Sequence, residues 1–417
     1  MRRLGPIPLG ALLLVLAIQA SATAADWTAW RGPLGTGISD ETGVPLRWST
    51  DSNIKWKVAL PEPGNSTPIV WKDRVFITGV PKKGARALMC YDRADGKLRW
   101  SQKVEYAEEE PTHETNPYCS ASPTTDGERV IAWHGSAGLF AYDVDGQPLW
   151  KKDLGKFEHV WGNAASPVLY KHLVILNCGP GLNTFLIALD KKTGEEVWRV
   201  KPDDATSEKL DEFRGSWSTP VLNREGDRDE FLVSLPNYLL AFDPLTGNEN
   251  WRCRGLSKLA YTSPLVGEGV AVAMSGYHGP ALAVRTGGQG DVTETHRLWL
   301  HDQKIPQRIG SGIIVDGHVF ILNESGVATC LDLKSGETKW EQRVGKSGGR
   351  SWSSMALVDG RLYVISMSGE TIVLAPNSEK CEVLAENPLG EMTRASLAFS
   401  NGQIFARTYQ HLYCIEE

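Results

Sequence analysis

The sequence has few features of membrane, nucleic-acid-binding or common catalytic proteins. Beyond its N-terminal 25 residues, no stretch approaches the roughly 20 consecutive apolar residues that a membrane-spanning helix needs. No basic run is interleaved with aromatic residues, and the net charge of −6 argues against a nucleic-acid partner. No Gly-x-Ser-x-Gly nucleophile elbow, His-Glu-x-x-His zinc motif or glycine-rich phosphate loop stands out. Long segments with a helical period are also missing, which excludes an all-helical fold.

The first 25 residues have the pattern of an export signal. A basic start at Met1–Arg3 precedes an apolar run from Leu9 to Ala20, and the small residues Ala22–Ala25 precede Asp26. We therefore expect cleavage just before Asp26 and a periplasmic or secreted mature protein. Since no cysteine lies near this position, we expect no lipoprotein anchor.

The remaining sequence is dominated by a repeated unit. One unit begins with Ser-Trp-Ser-Thr-Pro-Val at Ser216, continues through an apolar strand and Leu-Leu-Ala-Phe-Asp at 239–243, and ends with Thr-Gly and Trp251. Each unit shows the period-2 alternation of short strands, separated by turns with an Asp-x-x-Thr-Gly pattern. The unit opens eight times, at Ser66, Ser120, Ala164, Ser216, Thr262, Ser311, Ser351 and Ser396.

Tryptophans mark the ends of these units. They are spaced 41 to 53 residues apart, which is the period of a four-stranded propeller blade, and we expect each to pack between neighbouring blades. The pattern predicts an all-β fold, an eight-bladed β-propeller of four-stranded antiparallel blades. The closing tryptophans are Trp56, Trp100, Trp150, Trp198, Trp251, Trp299 and Trp340.

The two ends of the chain are expected to share a blade. The segment around Trp56 resembles a fourth strand but follows no other strands, whereas Ser396 to Glu416 supplies three strands and then stops. Pairing them closes the ring and removes two free sheet edges. Seven blades remain the alternative, because the unit from Ser351 has no terminal Trp. The predicted organisation is a signal peptide over 1–25, an N-terminal arm over 26–52 and a propeller over 53–417.

Two segments, Ala188–Trp198 and Ala241–Trp251, match in full the Ala-x-Asp-x-x-Thr-Gly-x-x-x-Trp pattern of PQQ-repeat propellers. The chain resembles this family over roughly residues 53 to 417. The family includes quinoprotein alcohol dehydrogenases and BamB-type outer-membrane assembly lipoproteins. The arm, with Trp-Arg-Gly-Pro at 30–33 and Pro-Leu-Arg-Trp at 45–48, is similar to exported PQQ-like propellers of planctomycete-type bacteria. The resemblance implies the fold and leaves the activity open.

The seven cysteines give no framework of disulfides. Cys90, Cys330 and Cys414 occupy a repeat position that is alanine in other units, so we expect buried free thiols there. A bridge between two of the other four stays open. Quinoprotein dehydrogenases carry two adjacent cysteines beside the cofactor, and haem-bearing relatives carry Cys-x-x-Cys-His. This chain has neither motif.

The loops that lead into the first strands gather around the propeller axis, where a ligand site is expected. Arginine side chains there would bind a carboxylated or anionic planar ligand, with tryptophans to stack on it. The alternative is that the arginines are solvated or pair with loop acids such as Asp211 and Glu212. His113 to Asn116 offers metal-capable groups without a ligand spacing, so no metal site is predicted. The candidate cofactor-binding residues are Arg214, Trp217, Arg308, Arg350, Trp352 and Arg394.

Two functions follow from these observations. The first is an exported, non-catalytic binding scaffold of the cell envelope, monomeric, that recognises an envelope protein or a small anionic or saccharide ligand. The second is a PQQ-dependent oxidoreductase acting on an alcohol or sugar with calcium. The missing Cys-Cys pair favours the first. The acidic run Glu108–Glu110 is interpreted as a solvated loop.

Overall fold

The computed structural model describes residue 1 and residues 26–209, 212–224, 228–302, 307–346 and 349–417. The expected export signal therefore lies outside the described residues. Strands dominate the described chain, and its one helical element is the short 3₁₀ turn Gly135–Ala137. Among the described residues, no helix has the length and apolarity needed to cross a bilayer.

The strands form eight antiparallel four-stranded blades, which confirms the predicted architecture. Within each blade the chain runs outward from a short inner strand to a more exposed fourth strand. Blades 1 to 4 consist of Ile69–Trp71, Arg74–Gly79, Arg86–Asp92 and Leu98–Val104; Thr124–Thr125, Arg129–Trp133, Leu139–Asp143 and Pro148–Lys152; Val168–Tyr170, Leu173–Cys178, Phe185–Asp190 and Glu196–Val200; and Val221–Asn223, Glu230–Leu235, Tyr238–Phe242 and Glu249–Arg254.

The second half of the ring repeats this plan, with small additions. Two short parallel strands, Ile38–Ser39 and Gly290–Asp291, extend blades 7 and 4, and Gly215–Ser216 pairs with Leu259–Ala260. Blades 5 to 8 consist of Leu265–Gly267, Val270–Met274, Ala281–Arg285 and Arg297–His301; Ile313–Val315, His318–Leu322, Val327–Asp332 and Thr338–Arg343; Ala356–Val358, Arg361–Ile365, Glu370–Leu374 and Val383–Pro388; and Ala398–Ser400, Gln403–Arg407, His411–Ile415 and Ile54–Ala59.

Blade 8 contains both ends of the propeller. The strand Ile54–Ala59 pairs with His411–Ile415 in antiparallel register, so that Trp56 lies opposite Cys414 and Lys57 opposite Tyr413. The predicted ring closure is therefore confirmed. It leaves neither terminal strand as an unpaired edge.

Blade 7 also has four strands although it lacks the terminal tryptophan. In the other blades Trp pairs with a small residue of the third strand, as Trp198 does with Ala188. In blade 7 Val373 pairs with Ala385 instead, and the sheet still forms. The seven-bladed alternative is therefore wrong, because backbone pairing does not depend on the Trp side chain.

Tryptophans lock most blades to their neighbours. The indole of Trp150 donates to the Lys191 carbonyl in the Asp–Gly turn of the next blade, at 3.0 Å. Gly194 of the same turn lies against that ring, where a Cβ would come within 2.8 Å of it. Equivalent indole-to-carbonyl bonds of 2.8 to 3.2 Å start from Trp56, Trp100, Trp198, Trp299 and Trp340. The repeat motif is thus an inter-blade contact spread over two blades.

Other segments cover the two interfaces without this bond. Trp251 of blade 4 donates instead to Glu230 of its own blade, and the strand Gly290–Asp291 pairs onto the edge that carries it. At blade 7 the N-terminal arm covers the fourth strand: the Trp48 amide donates to Asn387, and Arg47 donates to the Leu384 carbonyl. The arm therefore supplies contacts that the degenerate repeat lacks.

The arm also crosses the centre of the ring. The carbonyl of Trp27 accepts from Val70 of blade 1, and that of Thr28 accepts from Thr125 of blade 2. Arg31 then donates to Gly312 of blade 6, and Ile38–Ser39 pairs with blade 7. Since blade 2 lies opposite blade 6 in a ring of eight, the segment between Thr28 and Arg31 passes over the axis.

All seven cysteines are free, and six of them are buried. The predicted buried thiols at Cys90, Cys330 and Cys414 are confirmed. Burial raises the pKa of Cys90 to about 12 and that of Cys330 to about 11, so these thiols are protonated at neutral pH. They act as small apolar residues.

The Gly–Trp contact between blades can be tested at Gly194. Its φ is 73°, a conformation that costs a side chain strain, and its added Cβ would meet the Trp150 ring. Gly317 has a φ of 72° but open space around it, so Gly317→Ala is a control for the backbone effect alone. We expect Gly194→Ala to lower the free energy of unfolding by about 1–3 kcal/mol more than the control, as measured by urea denaturation. Equal losses of unfolding free energy in the two variants would show that the Trp150 ring does not restrict the side chain at position 194.

Ring closure should depend on pH through Glu391, which binds groups of both terminal strands. Burial opposes its ionisation, but bonds from Lys57, Thr408 and His411 lower its pKa to about 2. Because this pKa lies below the ordinary value of 4.5, ionised Glu391 stabilises the fold above about pH 4.5, and this stabilisation is lost as the pH falls toward 2.

We therefore expect Glu391→Gln to lower stability at neutral pH and to weaken the pH dependence of the urea midpoint between pH 2.5 and 5. The exposed Glu195→Gln is the matched control and should leave the profile unchanged. A wild-type slope retained in the Glu391 variant would contradict this assignment.

Candidate functional site

A closed ring of hydroxyl side chains surrounds the axis. Each blade contributes one Ser or Thr just before its first strand, and its backbone N–H donates to the hydroxyl of the next blade at 2.8 to 3.2 Å. The last bond runs from Ser396 back to Thr67, so the series closes. We call these residues the hydroxyl ring: Thr67, Ser122, Ser166, Thr219, Ser263, Ser311, Ser354 and Ser396.

Local sequence explains this geometry. In five blades the ring residue precedes proline, as in Ser166-Pro167 and Thr219-Pro220. A residue before proline is confined to extended backbone, which leaves its N–H pointing sideways toward the neighbouring blade. The Ser/Thr-Pro openings were visible in the sequence, but only the closed ring shows what their hydroxyls bind.

The hydroxyl ring encircles a cavity of about 340 Å³. All eight ring residues line it, together with polar side chains such as Asn65, Asn116 and Gln307. Trp30 of the N-terminal arm lines it as well, where the arm crosses the axis. The arm thus gives the central channel one of its walls, and we refer to this space as the axial cavity.

One side of the axial cavity is aromatic. The rings of Trp161 and Trp217 are 5.9 Å apart, and Tyr261 lies 5.0 Å from Trp217. Tyr277 extends the group at 6.3 Å from both Trp161 and Tyr261. His159 packs edge-on against Trp217 at 5.1 Å, and burial lowers its pKa, so it supports the cluster as a neutral ring. The result is a rigid surface on which a flat ligand face can stack.

The opposite side carries a cation. The Arg394 guanidinium lies 4.8 Å from the Trp352 ring and donates to the Tyr409 hydroxyl. Such a cation held against aromatic faces has few rotamers left to lose on binding a ligand. Among the described residues Arg394 has no carboxylate within ion-pair distance.

Three buried polar atoms of the cavity walls lack protein partners. They are the Oδ1 atom of Asn65, the Nε1 atom of Trp352 and the Nε atom of Arg394. A buried polar atom without a hydrogen bond costs about 1–3 kcal/mol, so groups of this kind are expected where a ligand or water completes them. Together they offer one acceptor and two donors.

The structure brings three of the six predicted cofactor-binding residues to the axial cavity: Trp217, Trp352 and Arg394. Arg214 instead donates to Glu212 at 2.9 Å and to the Asp204 carbonyl, away from the cavity. Arg350 is mostly exposed and pairs with Glu324 at 2.8 Å. The four arginines therefore do not converge on one mouth, because Arg214 binds an acid of its own loop and Arg350 binds an acid of the neighbouring blade.

Arg308 is placed behind the cavity wall. Its neighbours Gln307 and Ile309 line the cavity, while Arg308 is buried and points the other way, as alternation along an extended segment requires. Burial lowers the pKa of its guanidinium. The residue types of a loop do not indicate which side of the segment faces the axis.

The arm residue Trp30 and the hydroxyl ring line the cavity but were not predicted as site residues from the sequence. Of the metal-capable stretch, His113 and Asn116 both line the cavity, but Asn116 donates to the Trp161 carbonyl and so has a structural role. No cluster of three or more potential metal ligands occurs among the described residues.

The acidic run at 108–110 is only partly solvated. Glu110 is buried and forms an ion pair with Arg86, and it also accepts from Asn163 and the Ser136 amide. The solvated-loop interpretation is therefore wrong for this residue.

A cysteine and a histidine lie beside this ion pair, 3.9 Å apart at Cys119 Sγ and His134 Nδ1. Burial raises the pKa of the thiol to about 11 and lowers the pKa of the imidazole to about 3. Both groups are neutral at pH 7, so they do not form the thiolate–imidazolium pair of a nucleophile.

The axial cavity does not fit a calcium–quinone pair. Calcium sites in proteins rely on carboxylate oxygens for charge compensation. In the described part of the chain no Asp or Glu lines this cavity, and the charged group on its wall is the Arg394 cation. We therefore derive no reaction through such a cofactor.

Comparisons with known proteins agree with the architecture. The family model described as outer membrane protein assembly factor BamB matches residues 48–228 and 182–417. A search of the curated proteins finds no match. BamB from Moraxella catarrhalis is similar in structure, with a TM-score of 0.60 and 14% identity over 87% of this chain and 96% of that chain.

Dehydrogenases are also similar in structure. The quinohemoprotein alcohol dehydrogenase from Comamonas testosteroni has a TM-score of 0.68 at 12% identity, covering 93% of this chain and 80% of that chain. A europium-containing methanol dehydrogenase has a TM-score of 0.66 at 11% identity over 93% and 90%. At such identities the likeness shows the fold alone. Because the family model spans nearly the whole propeller, the chain belongs to the BamB-type family of PQQ-repeat β-propellers.

Proposed function

We propose that the protein is an exported, non-catalytic binding scaffold of the cell envelope that holds a small saccharide ligand in its axial cavity. The family description, an outer membrane assembly factor, supports the envelope as its place of action.

The composition of the cavity wall carries this proposal. Aromatic rings on one side, hydroxyl and amide groups around the rest, and few charges match the surface of a sugar, which has flat apolar faces and an equator of hydroxyls. The unpartnered atoms of Asn65 and Trp352 would accept from and donate to such hydroxyls. A volume of about 340 Å³ suits one or two sugar rings.

The same wall argues for binding rather than catalysis. Among its described residues the only histidine is His113, and no carboxylate or thiol accompanies it. General acid–base work needs two groups with different proton affinities in reach of one substrate. A single exposed histidine at the rim does not provide them.

The proposal can be tested with aromatic variants. Trp217 and Trp352 line the cavity, whereas Leu149 is exposed on the outer strand of blade 2 and is the control. We expect Trp217→Ala and Trp352→Ala to weaken binding of mono- and disaccharides at least about tenfold, and Leu149→Ala to leave it unchanged. Isothermal titration calorimetry of hits from a glycan array gives the measurement.

Two results would contradict the proposal. One is a full glycan array without a hit. The other is saturable binding of PQQ with Ca²⁺, seen as bound-quinone absorbance together with dye-linked oxidation of an alcohol or sugar, which would establish the oxidoreductase instead.

A further inference from the structure

We propose that the hydroxyl ring is an oxyanion site, so that the ligand of the axial cavity presents a carboxylate, sulfate or phosphate group to the axis. This inference rests on the proposed function in one respect, namely that it makes the saccharide an acidic one. The oxyanion site itself follows from the hydrogen bonds and charges around the ring.

The ring hydroxyls have unused O–H donors. Each ring oxygen already accepts one N–H from the neighbouring blade, which leaves it one further lone pair and its O–H donor. Only Ser311 uses that donor on the protein, toward the Ser263 carbonyl. The other seven hydroxyls line the cavity and donate to no acceptor of the described chain.

The ring residues are also well buried. Their relative exposure runs from 1% at Thr67 to 7% at Ser396. Seven of these buried hydroxyls therefore present an unused O–H donor to the cavity. The complementary partner is a group with several acceptor oxygens and no hydrogen, which describes an oxyanion.

Two buried arginines, Arg31 and Arg407, lie next to residues of the hydroxyl ring. Arg31 donates to the carbonyl of Gly312, the residue after Ser311 of the ring, and its Nε and Nη1 atoms are buried without partners. Across the axis Arg407 donates to the carbonyl of Ser66, the residue before Thr67. Both side chains are buried, and neither has a carboxylate within ion-pair distance in the described chain.

Arg394 on the cavity wall, with Arg31 and Arg407 behind the ring, therefore gives three arginines that have no carboxylate partner among the described residues. Burial lowers the pKa of Arg31 to about 9 and that of Arg407 to about 10, so both stay protonated at neutral pH. An unpaired buried charge is costly, and an anion on the axis would offset that cost for all three cations at once.

The test uses inorganic sulfate as the probe and the full mature chain. We expect sulfate to raise the Tm saturably, and sodium chloride of equal ionic strength not to do so. Arg394→Gln should raise the sulfate Kd at least about tenfold, whereas Arg350→Gln, on the same face but outside the cavity, should leave it unchanged. Ser354→Ala tests the ring directly and should also weaken sulfate binding at least about tenfold.

Since Ser354→Ala also removes an inter-blade acceptor, it can destabilise the fold, and a crystal measurement then decides. Crystals soaked in selenate should show an anomalous peak on the axis within hydrogen-bond distance of the ring hydroxyls. No axial peak, or a Tm that responds equally to chloride and sulfate, overturns the oxyanion site.

The outcomes separate this inference from the proposed function. Sulfate binding on the axis without any saccharide hit would leave the oxyanion site standing and refute the saccharide function. Saccharides that bind equally well with and without an acidic group, and that sulfate does not displace, would support the saccharide function and refute the oxyanion site. Preference for acidic sugars with competition by sulfate supports both.

Discussion

Each blade of this propeller is joined to the next by a hydrogen bond close to the axis, from a backbone N–H to a hydroxyl, and most are joined by a second one at the periphery, from an indole to a carbonyl. The inner series is complete from Thr67 through Ser396 and back. The outer series fails at Trp251 and is missing where Ala385 stands in place of Trp. Since the inner ring alone is unbroken, the spacing of the eight blades around the axis depends on it most.

This constraint also shapes the candidate site. A hydroxyl that accepts an inter-blade N–H is fixed in position and keeps its O–H available as a donor. Eight such residues therefore give the axis a common chemical character before any ligand is considered. The arm then places Trp30 at the axis and Arg31 against blade 6, so the cavity is completed by a segment outside the repeats. The hydroxyl groups that join the blades are therefore the same groups that line the cavity.

The repeat made the architecture predictable, and the reason is geometric. Motifs such as Ala188–Trp198 recur because each Gly and Trp must meet a neighbouring blade, and a constraint that repeats leaves a periodic trace in the sequence. The predicted number of blades is correct although blade 7 lacks the terminal Trp, because the pairing of its strands does not depend on that side chain. Ring closure could be predicted because the strand around Trp56 is preceded by no other strands of a blade.

The site was less predictable because it depends on single side chains in irregular loops. Trp217, Trp352 and Arg394 reach the cavity, but Arg214 and Arg350 turn to acids nearby in space. Glu212 lies two residues from Arg214, so that pairing could be expected from local sequence. Glu324 lies in a neighbouring blade from Arg350 and becomes its partner only after folding.

Arg31 and Arg407, the two buried arginines next to the hydroxyl ring, were not among the candidate residues. Arg407 lies within a strand and Arg31 within the arm, positions where an arginine would ordinarily be taken as an outward-facing residue. Gly64 lies so close to Arg407 that a Cβ there would come within 2.3 Å of its Nη2 atom, so the chain makes room for this cation.

A protein can bury a guanidinium on carbonyl oxygens alone, but it gains little from doing so. Retaining Arg31 and Arg407 beside a ring of donors is easiest to understand if the missing negative charge arrives with the ligand. Binding would then add its own electrostatic contribution to the contacts between blades, and the stability of the ring and the affinity for the ligand would be thermodynamically linked.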